Sequence, residues 1–213
     1  MAEPLDPSQI TTERHAAALA SLPSDDGADA ANAERGLIAA APPELEIRGE
    51  DGQVIWSLAD YDFLRSADQA PASVHPALWR MAKLNMNAGL YEVAEGVYQV
   101  RGYDISNMTL IEGESGVIVV DPLVSPQCAA AALALYREHR GERAVSAVLH
   151  THSHIDHFGG ALGVISAKEV AERKVPVIAS EGFMEEATSE NIMVGTAMSR
   201  RSMYQFGKDL VIA

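Results

Sequence analysis

From Pro43 onward the chain alternates apolar and polar residues in short runs separated by turn residues. LEIRG and QVIWSL flank Gly-Glu-Asp-Gly, LYEV and VYQVRG flank Ala-Glu-Gly, and NMTLI and VIVVDP flank Glu-Gly-Glu-Ser-Gly. Alternation with period two, bounded by such turns, predicts three hairpins. IVVD, ending at Asp121, is a continuous β-branched run and predicts a strand buried on both faces. Pro76 suits the first turn of a short helix. Ser125 reads as an N-cap with Pro126 at the first helical position, AAAALALYREHR as the helix, and Gly141 as its C-terminal stop. AVSAVLH predicts a second buried strand, ALGVISAKEVAERK a helix and VPVIAS a strand. EGFMEEATSENIMVGTAMSRRSMYQFG predicts a helix with a break near Gly195, and DLVIA a last strand. Hairpins first and alternating β and α elements afterwards predict an α/β fold, a mixed sheet with helices on one face.

Residues 1–42 read differently. They are rich in Ala, Asp, Ser and Pro, and HAAALASL supplies a helical turn or two. This segment is expected to be an acidic, mobile arm without chemistry of its own, and residues 43–213 to hold the domain. With 213 residues, 47% apolar and 22% charged, the chain has the make-up of a soluble globular protein. A net charge of −14 argues against a nucleic-acid partner, which needs a basic face. The single cysteine, Cys128, excludes an internal disulfide and a cysteine metal cluster. No apolar run reaches transmembrane length. The N-terminus lacks the basic start and apolar stretch of a secretory signal, so a cytoplasmic protein is the simplest reading. A periplasmic or secreted protein whose signal had been removed would read the same.

The chemistry concentrates in THSHIDHFGG, Thr151 to Gly160. Alternate side chains of an extended chain share a face, so His152 and His154 converge on one point. Asp156 and His157 follow where the chain turns and converge on a second. Imidazole and carboxylate are zinc ligands, and two metals about 3.5–4 Å apart activate a shared water and clamp a developing anion. Gly159 and Gly160 allow close backbone approach. Asp121, at the end of the IVVD strand, is expected to orient a ligand histidine from behind. His150 is expected to be a packed, hydrogen-bonded histidine. His15, His75 and His139 lie outside any cluster, in structural or surface positions. Glu181, Glu185, Glu186 and Glu190 read as solvated helix-face charge, and Arg200 and Arg201 as a solvated helix end. The spacing of Met184, Met193, Met198 and Met203 predicts a buried helix face.

THSHIDHFGG, preceded by VIVVDP and a helix, resembles the signature of the metallo-β-lactamase superfamily. GLYEVAEGVYQVRGYDISNMTLIEGESGVIVVDPL, GERAVSAVLHTHSHIDHFGG and EGFMEEATSENIMVGTAMSRRSMYQFG resemble its linear alkylsulfatase branch. The resemblance implies an αββα sandwich, here its N-terminal half. It implies hydrolysis of alkyl sulfates to an alcohol and sulfate with two zinc ions, and a homodimeric full-length protein with further helical and sterol-carrier-like domains. Carried over, His152 and His154 hold one zinc, and Asp156 and His157 the other, with Asp156 the candidate catalytic carboxylate. The family completes both shells with glutamates and a histidine from farther along, whereas no histidine follows His157 here. A truncated chain is therefore the expectation. The alternatives are another hydrolase of the same fold, acting on a thioester, lactone or β-lactam, and a non-catalytic metal-binding fragment.

Overall fold

The computed structural model describes residues 6–24 and 26–206. In chain order its helices are α1 (Gln9–Ser21), α2 (Ala28–Glu34), α3 (Asp62–Ser66), α4 (Pro76–Asn85), α5 (Pro126–Arg140), α6 (Ala161–Val164), α7 (Ala167–Arg173), α8 (Phe183–Thr188) and α9 (Gly195–Phe206). Its strands are β1 (Leu37–Ala40), β2 (Glu46–Arg48), β3 (Val54–Ser57), β4 (Gly89–Ala94), β5 (Val97–Arg101), β6 (Met108–Glu112), β7 (Val117–Val120), β8 (Val145–Leu149) and β9 (Val177–Ile178). Seven strands form one sheet in the order β1-β4-β5-β6-β7-β8-β9, and β2-β3 is a separate hairpin. Neighbours from β1 to β7 run antiparallel, whereas β7, β8 and β9 run parallel. The three predicted hairpins are present. The strand expected at DLVIA lies outside the described residues.

The change from antiparallel to parallel falls at α5, which makes the crossover from β7 to β8. Ser125 caps it, its Oγ accepting the Cys128 N–H at 3.1 Å. The helix buries Cys128, Ala129, Ala132, Leu133 and Tyr136, one stripe at helical spacing. The stripe meets Tyr98, Val100, Met108, Leu110, Val117, Val119 and Val148 from alternate positions of β5 to β8. The intervening residues, such as Ile118 and Val120, are only half-buried. The IVVD strand is therefore buried on one face and only half-buried on the other, not buried on both as its composition predicts.

Three further expectations are corrected. ALGVISAKEVAERK forms two helices, because Ile165 is extended and Ser166 caps α7 in a reciprocal box with Glu169. The VPVIAS strand is reduced to the two residues of β9. Met184, Met193 and Met203 are exposed, at 74%, 77% and 40%, so they do not form a buried face. The break near Gly195 is present as a π-helical turn over Ser189–Met193. Within residues 1–42, α1 and α2 bury no residue, but His15 Nδ1 donates to the Ala72 carbonyl at 2.8 Å and β1 pairs with β4.

Glu112 staples the far end of α5 to β6. Its carboxylate accepts from Arg140 Nε at 3.2 Å and the Tyr136 hydroxyl at 3.0 Å, with Arg143 at 3.5 Å. Burial works against its ionisation, but Arg140, Tyr136 and Arg143 outweigh burial and hold the carboxyl below its usual range. A depressed carboxyl contributes stability that is present above its unfolded pKa and lost as pH falls through the folded one. Denaturant melts from about pH 6 to about pH 3 are expected to show a steeper loss for the native chain than for Glu112→Gln. Parallel curves would remove the staple from the account.

At the other end of the helix, backbone approaches backbone. A Cβ on Gly160 would lie 1.9 Å from the Pro122 carbonyl oxygen and 2.8 Å from the Ala129 Cβ. Gly160→Ala is expected to cost about 3 kcal/mol in chemical denaturation. Gly113→Ala, whose nearest neighbour would be 3.6 Å away, is expected to stay within about 0.5 kcal/mol.

Candidate metal centre

β8 ends at Leu149, and His150 to His157 cross the edge of the sheet in a turn closed by the 3-10 segment Ile155–His157. The turn is anchored to the loop after β7. Asp121 and Leu123 both adopt positive φ, 53° and 65°, around Pro122. Such a conformation is tolerated by Asp and costs Leu about 1–2 kcal/mol. Leu123 is fully buried, and its carbonyl accepts the Gly160 N–H at 2.8 Å, which holds the kink. The kink aims the Asp121 carboxylate at the histidine turn.

Asp121 is buried and takes three donors. They are the Thr151 N–H at 2.8 Å, the Thr151 hydroxyl at 2.7 Å and His157 Nδ1 at 3.0 Å. These contacts assign tautomers. His157 carries a proton on Nδ1, and its Nε2 turns toward Asp156 and the Ser106 hydroxyl, 3.5 Å from the latter. The Thr151 hydroxyl proton is committed to Asp121, so its oxygen accepts from His152 Nδ1 at 3.0 Å. In a neutral ring His152 Nε2 is then a lone pair.

The two Nε2 atoms face other ligating atoms of the motif. His152 Nε2 lies 3.0 Å from His154 Nδ1, and His157 Nε2 lies 3.2 Å from Asp156 Oδ2. Two ligands on a tetrahedral metal ion, each about 2.0–2.1 Å away, stand about 3.3 Å apart. The four residues thus form two pairs at close to that edge length, with the His152 and His157 rings 4.1 Å apart. Among the described residues no three His, Cys, Asp or Glu side chains converge on one point. Imidazole nitrogens and a carboxylate oxygen are zinc ligands, and the chemistry of the donor set fits a divalent metal on that ground.

Two residues of the centre escaped the sequence reading. Ser106 is buried between β5 and β6, and its hydroxyl donates to Asp156 Oδ2 at 2.8 Å. Asp104, also buried, accepts the Val124 N–H at 2.8 Å and the Ser106 N–H at 3.3 Å. Burial pushes the Asp104 carboxyl up, against the pull of those N–H groups. YDIS looks like an ordinary turn in the sequence, and no local signal marks it. Glu190 also departs from its reading. Its Oε1 lies 3.6 Å from His154 Nε2 and its side chain is only 26% exposed. His150 is buried as expected, with Nδ1 3.1 Å from the His157 carbonyl and its ring stacked 5.5 Å from Phe183. Arg200 and Arg201 are exposed on α9, away from these contacts.

Asp121→Ala strands the Thr151 and His157 donors and is expected to lower stability by about 3 kcal/mol, against about 1 kcal/mol for Thr151→Val. Urea unfolding of both variants checks the order. Equal small losses would mean that Asp121 does not hold the turn.

Residues 101–206 match the description of the metallo-beta-lactamase superfamily. The chain is 49% identical to an (R)-specific secondary-alkylsulfatase and 47% identical to a linear primary-alkylsulfatase, both of Pseudomonas sp.. These alignments take in 94% and 90% of this chain but 30% and 28% of those proteins. The solved structure of the stereoselective inverting sec-alkylsulfatase Pisa1 from Pseudomonas sp. superposes with a TM-score of 0.87 at 48% identity, over 95% of this chain and 32% of that one. The chain spans about 30% of the length of the relatives it matches. On the fold, the motif and these similarities, the chain belongs to the metallo-beta-lactamase superfamily and aligns there with the alkylsulfatases.

Proposed function

We propose that this chain carries the metal-binding part of a zinc-dependent hydrolase that cleaves alkyl sulfate esters to an alcohol and inorganic sulfate. The observation that carries the reading is the pairing of ligating atoms, His152 Nε2 against His154 Nδ1 and His157 Nε2 against Asp156 Oδ2. The similarity to primary- and secondary-alkylsulfatases is nearly equal, 47% and 49%, which supports the alkyl sulfate class as a whole. In this reading His152 and His154 hold one zinc, and Asp156 and His157 the other. Bound there, the ions supply Lewis acidity toward the sulfate oxygens and a water of lowered pKa.

The chain's own residues supply orientation. Asp121 fixes the ring of His157 directly and that of His152 through Thr151. Ser106 fixes the Asp156 carboxylate, leaving its charge available inward. A sulfate monoester is an anion, and the chain bears a net charge of −14. The local positive charge of the metals reverses that unfavourable sign at the site. A homodimeric whole protein belongs to the same proposal. No helix among the described residues is long and apolar enough to cross a membrane.

The whole protein, purified without chelator, is expected to hold about two zinc ions and to lose zinc in both His152→Ala and Asp156→Ala. The whole protein is then assayed on dodecyl sulfate, a glutathione thioester, a lactone and a β-lactam. Turnover of dodecyl sulfate alone fits the proposal. Turnover of another ester class in its place, or zinc content unaffected by either substitution, overturns it.

A further inference from the structure

Asp156 and His157 are chain neighbours, so their backbone spacing is fixed. What can vary is where each side chain points, and each is pointed by a different loop. The His157 ring is held by Asp121, at the end of β7, at 3.0 Å. The Asp156 carboxylate accepts the Ser106 hydroxyl at 2.8 Å, from the loop between β5 and β6. The distance of 3.2 Å between His157 Nε2 and Asp156 Oδ2 therefore depends on how those two loops stand to each other.

Asp104 joins the two loops. Its Oδ1 accepts the Ser106 N–H at 3.3 Å within the β5–β6 loop, and its Oδ2 accepts the Val124 N–H at 2.8 Å across the gap, three residues after Asp121. Asp104 and Ser106 are both 7% exposed, whereas Ile105 between them is 66% exposed. A turn that buries a carboxylate and a hydroxyl and leaves an isoleucine in water runs against hydrophobic preference. The hydrogen bonds to Val124 and Asp156 are what that inversion gains. The base of the loop is fixed separately, because Trp56 Nε1 donates to the Gly102 carbonyl at 2.8 Å. Asp121 is also fixed separately, by its N–H on the Leu149 carbonyl at 3.0 Å and by the Gly160 N–H on the Leu123 carbonyl at 2.8 Å. Loss of Asp104 would thus fall on Ser106 and Asp156 before anything else.

We propose that Asp104 is a positioning residue for one of the two metal pairs. By tying the loop that holds Asp156 to the loop that holds His157, it sets the aim of that pair through Ser106 and leaves the His152–His154 pair unchanged. Groups behind a metal ligand govern affinity by fixing the ligand's direction. The role rests on the metal-centre reading and adds to it a difference between the two sites.

The test is the zinc affinity of the whole protein, by competition with a chelating dye, in two backgrounds that separate the pairs. His152→Ala keeps Asp156 and His157, and Asp156→Ala keeps His152 and His154. Asp104→Asn preserves shape but turns an amide NH₂ against one of the two backbone N–H donors. It is expected to weaken zinc binding about tenfold in the first background and to change it by less than about twofold in the second. Ser106→Ala is expected to act in the same way, and Ser106→Thr, which keeps the hydroxyl, to restore the affinity. Glu112→Gln loosens the far end of α5 without touching either loop, and is expected to leave both affinities unchanged, which distinguishes aim from general loosening. Equal weakening in both backgrounds, or none in the first, overturns the proposal. So does a first background that holds no zinc at all, because the pairs would then not be separable. Absence of zinc from the native protein overturns the metal-centre reading itself, so the two readings fail on different results.

Discussion

The Asp121 carboxylate is the point on which the centre depends. One buried anion takes a backbone N–H, a hydroxyl and an imidazole N–H, and each comes from the histidine turn. It thereby fixes where Thr151 starts that turn, which nitrogen of His157 points inward and, through the Thr151 hydroxyl, which nitrogen of His152 does so. Its aim requires a left-handed backbone at Asp121 and again at Leu123. That strain persists because the surroundings over-determine it. Gly159 and Gly160 pack their bare α-carbons on the Val124 and Pro122 carbonyls, at distances where any Cβ would collide. The glycines that end the motif therefore hold the loop that aims it.

The elements divide the labour. β7 and β8 are parallel neighbours whose ends bring Asp121 and the histidine turn side by side. Their Asp121 N–H to Leu149 carbonyl bond, at 3.0 Å, continues the ladder to the edge of the site. α5 and its buried stripe set the distance between sheet and helix, and Gly163 lets α6 lie directly on Pro126 at the start of α5. The β5–β6 loop adds Ser106 from the other side, anchored by Asp104 to Val124. Three loops at one end of the sheet thus meet through buried carboxylates. This is where ligands gather in α/β sheets, beyond the carboxyl ends of the parallel strands.

Exposure on the last helices has a different character. Met184, Ile192, Met193, Tyr204 and Phe206 are more than half exposed. The spacing of Met184, Met193, Met198 and Met203 reads as a core face, and periodicity is indeed all that sequence offers on burial. Periodicity reports that a face is apolar, not that something covers it. The same limit explains IVVD, whose β-branched run is buried on one face and half-buried on the other.

The hairpins, the capped α5, the break near Gly195 and the clustering of His152, His154, Asp156 and His157 after β8 were all legible in the sequence. They rest on local rules: period two, capping chemistry, and side-chain alternation along an extended chain. Asp121 was legible because it ends a buried strand. Ser106, Asp104 and Glu190 were not. Ser106 lies 50 positions from Asp156, and Glu190 reaches His154 only because a π turn and an aromatic contact between Phe183 and His150 place it there. The sequence by itself determined which atoms are available as donors and on which short elements they sit. The tertiary structure decided which nitrogen of each imidazole faces inward, because tautomers are set by hydrogen bonds to distant carboxylates, and no local pattern encodes those.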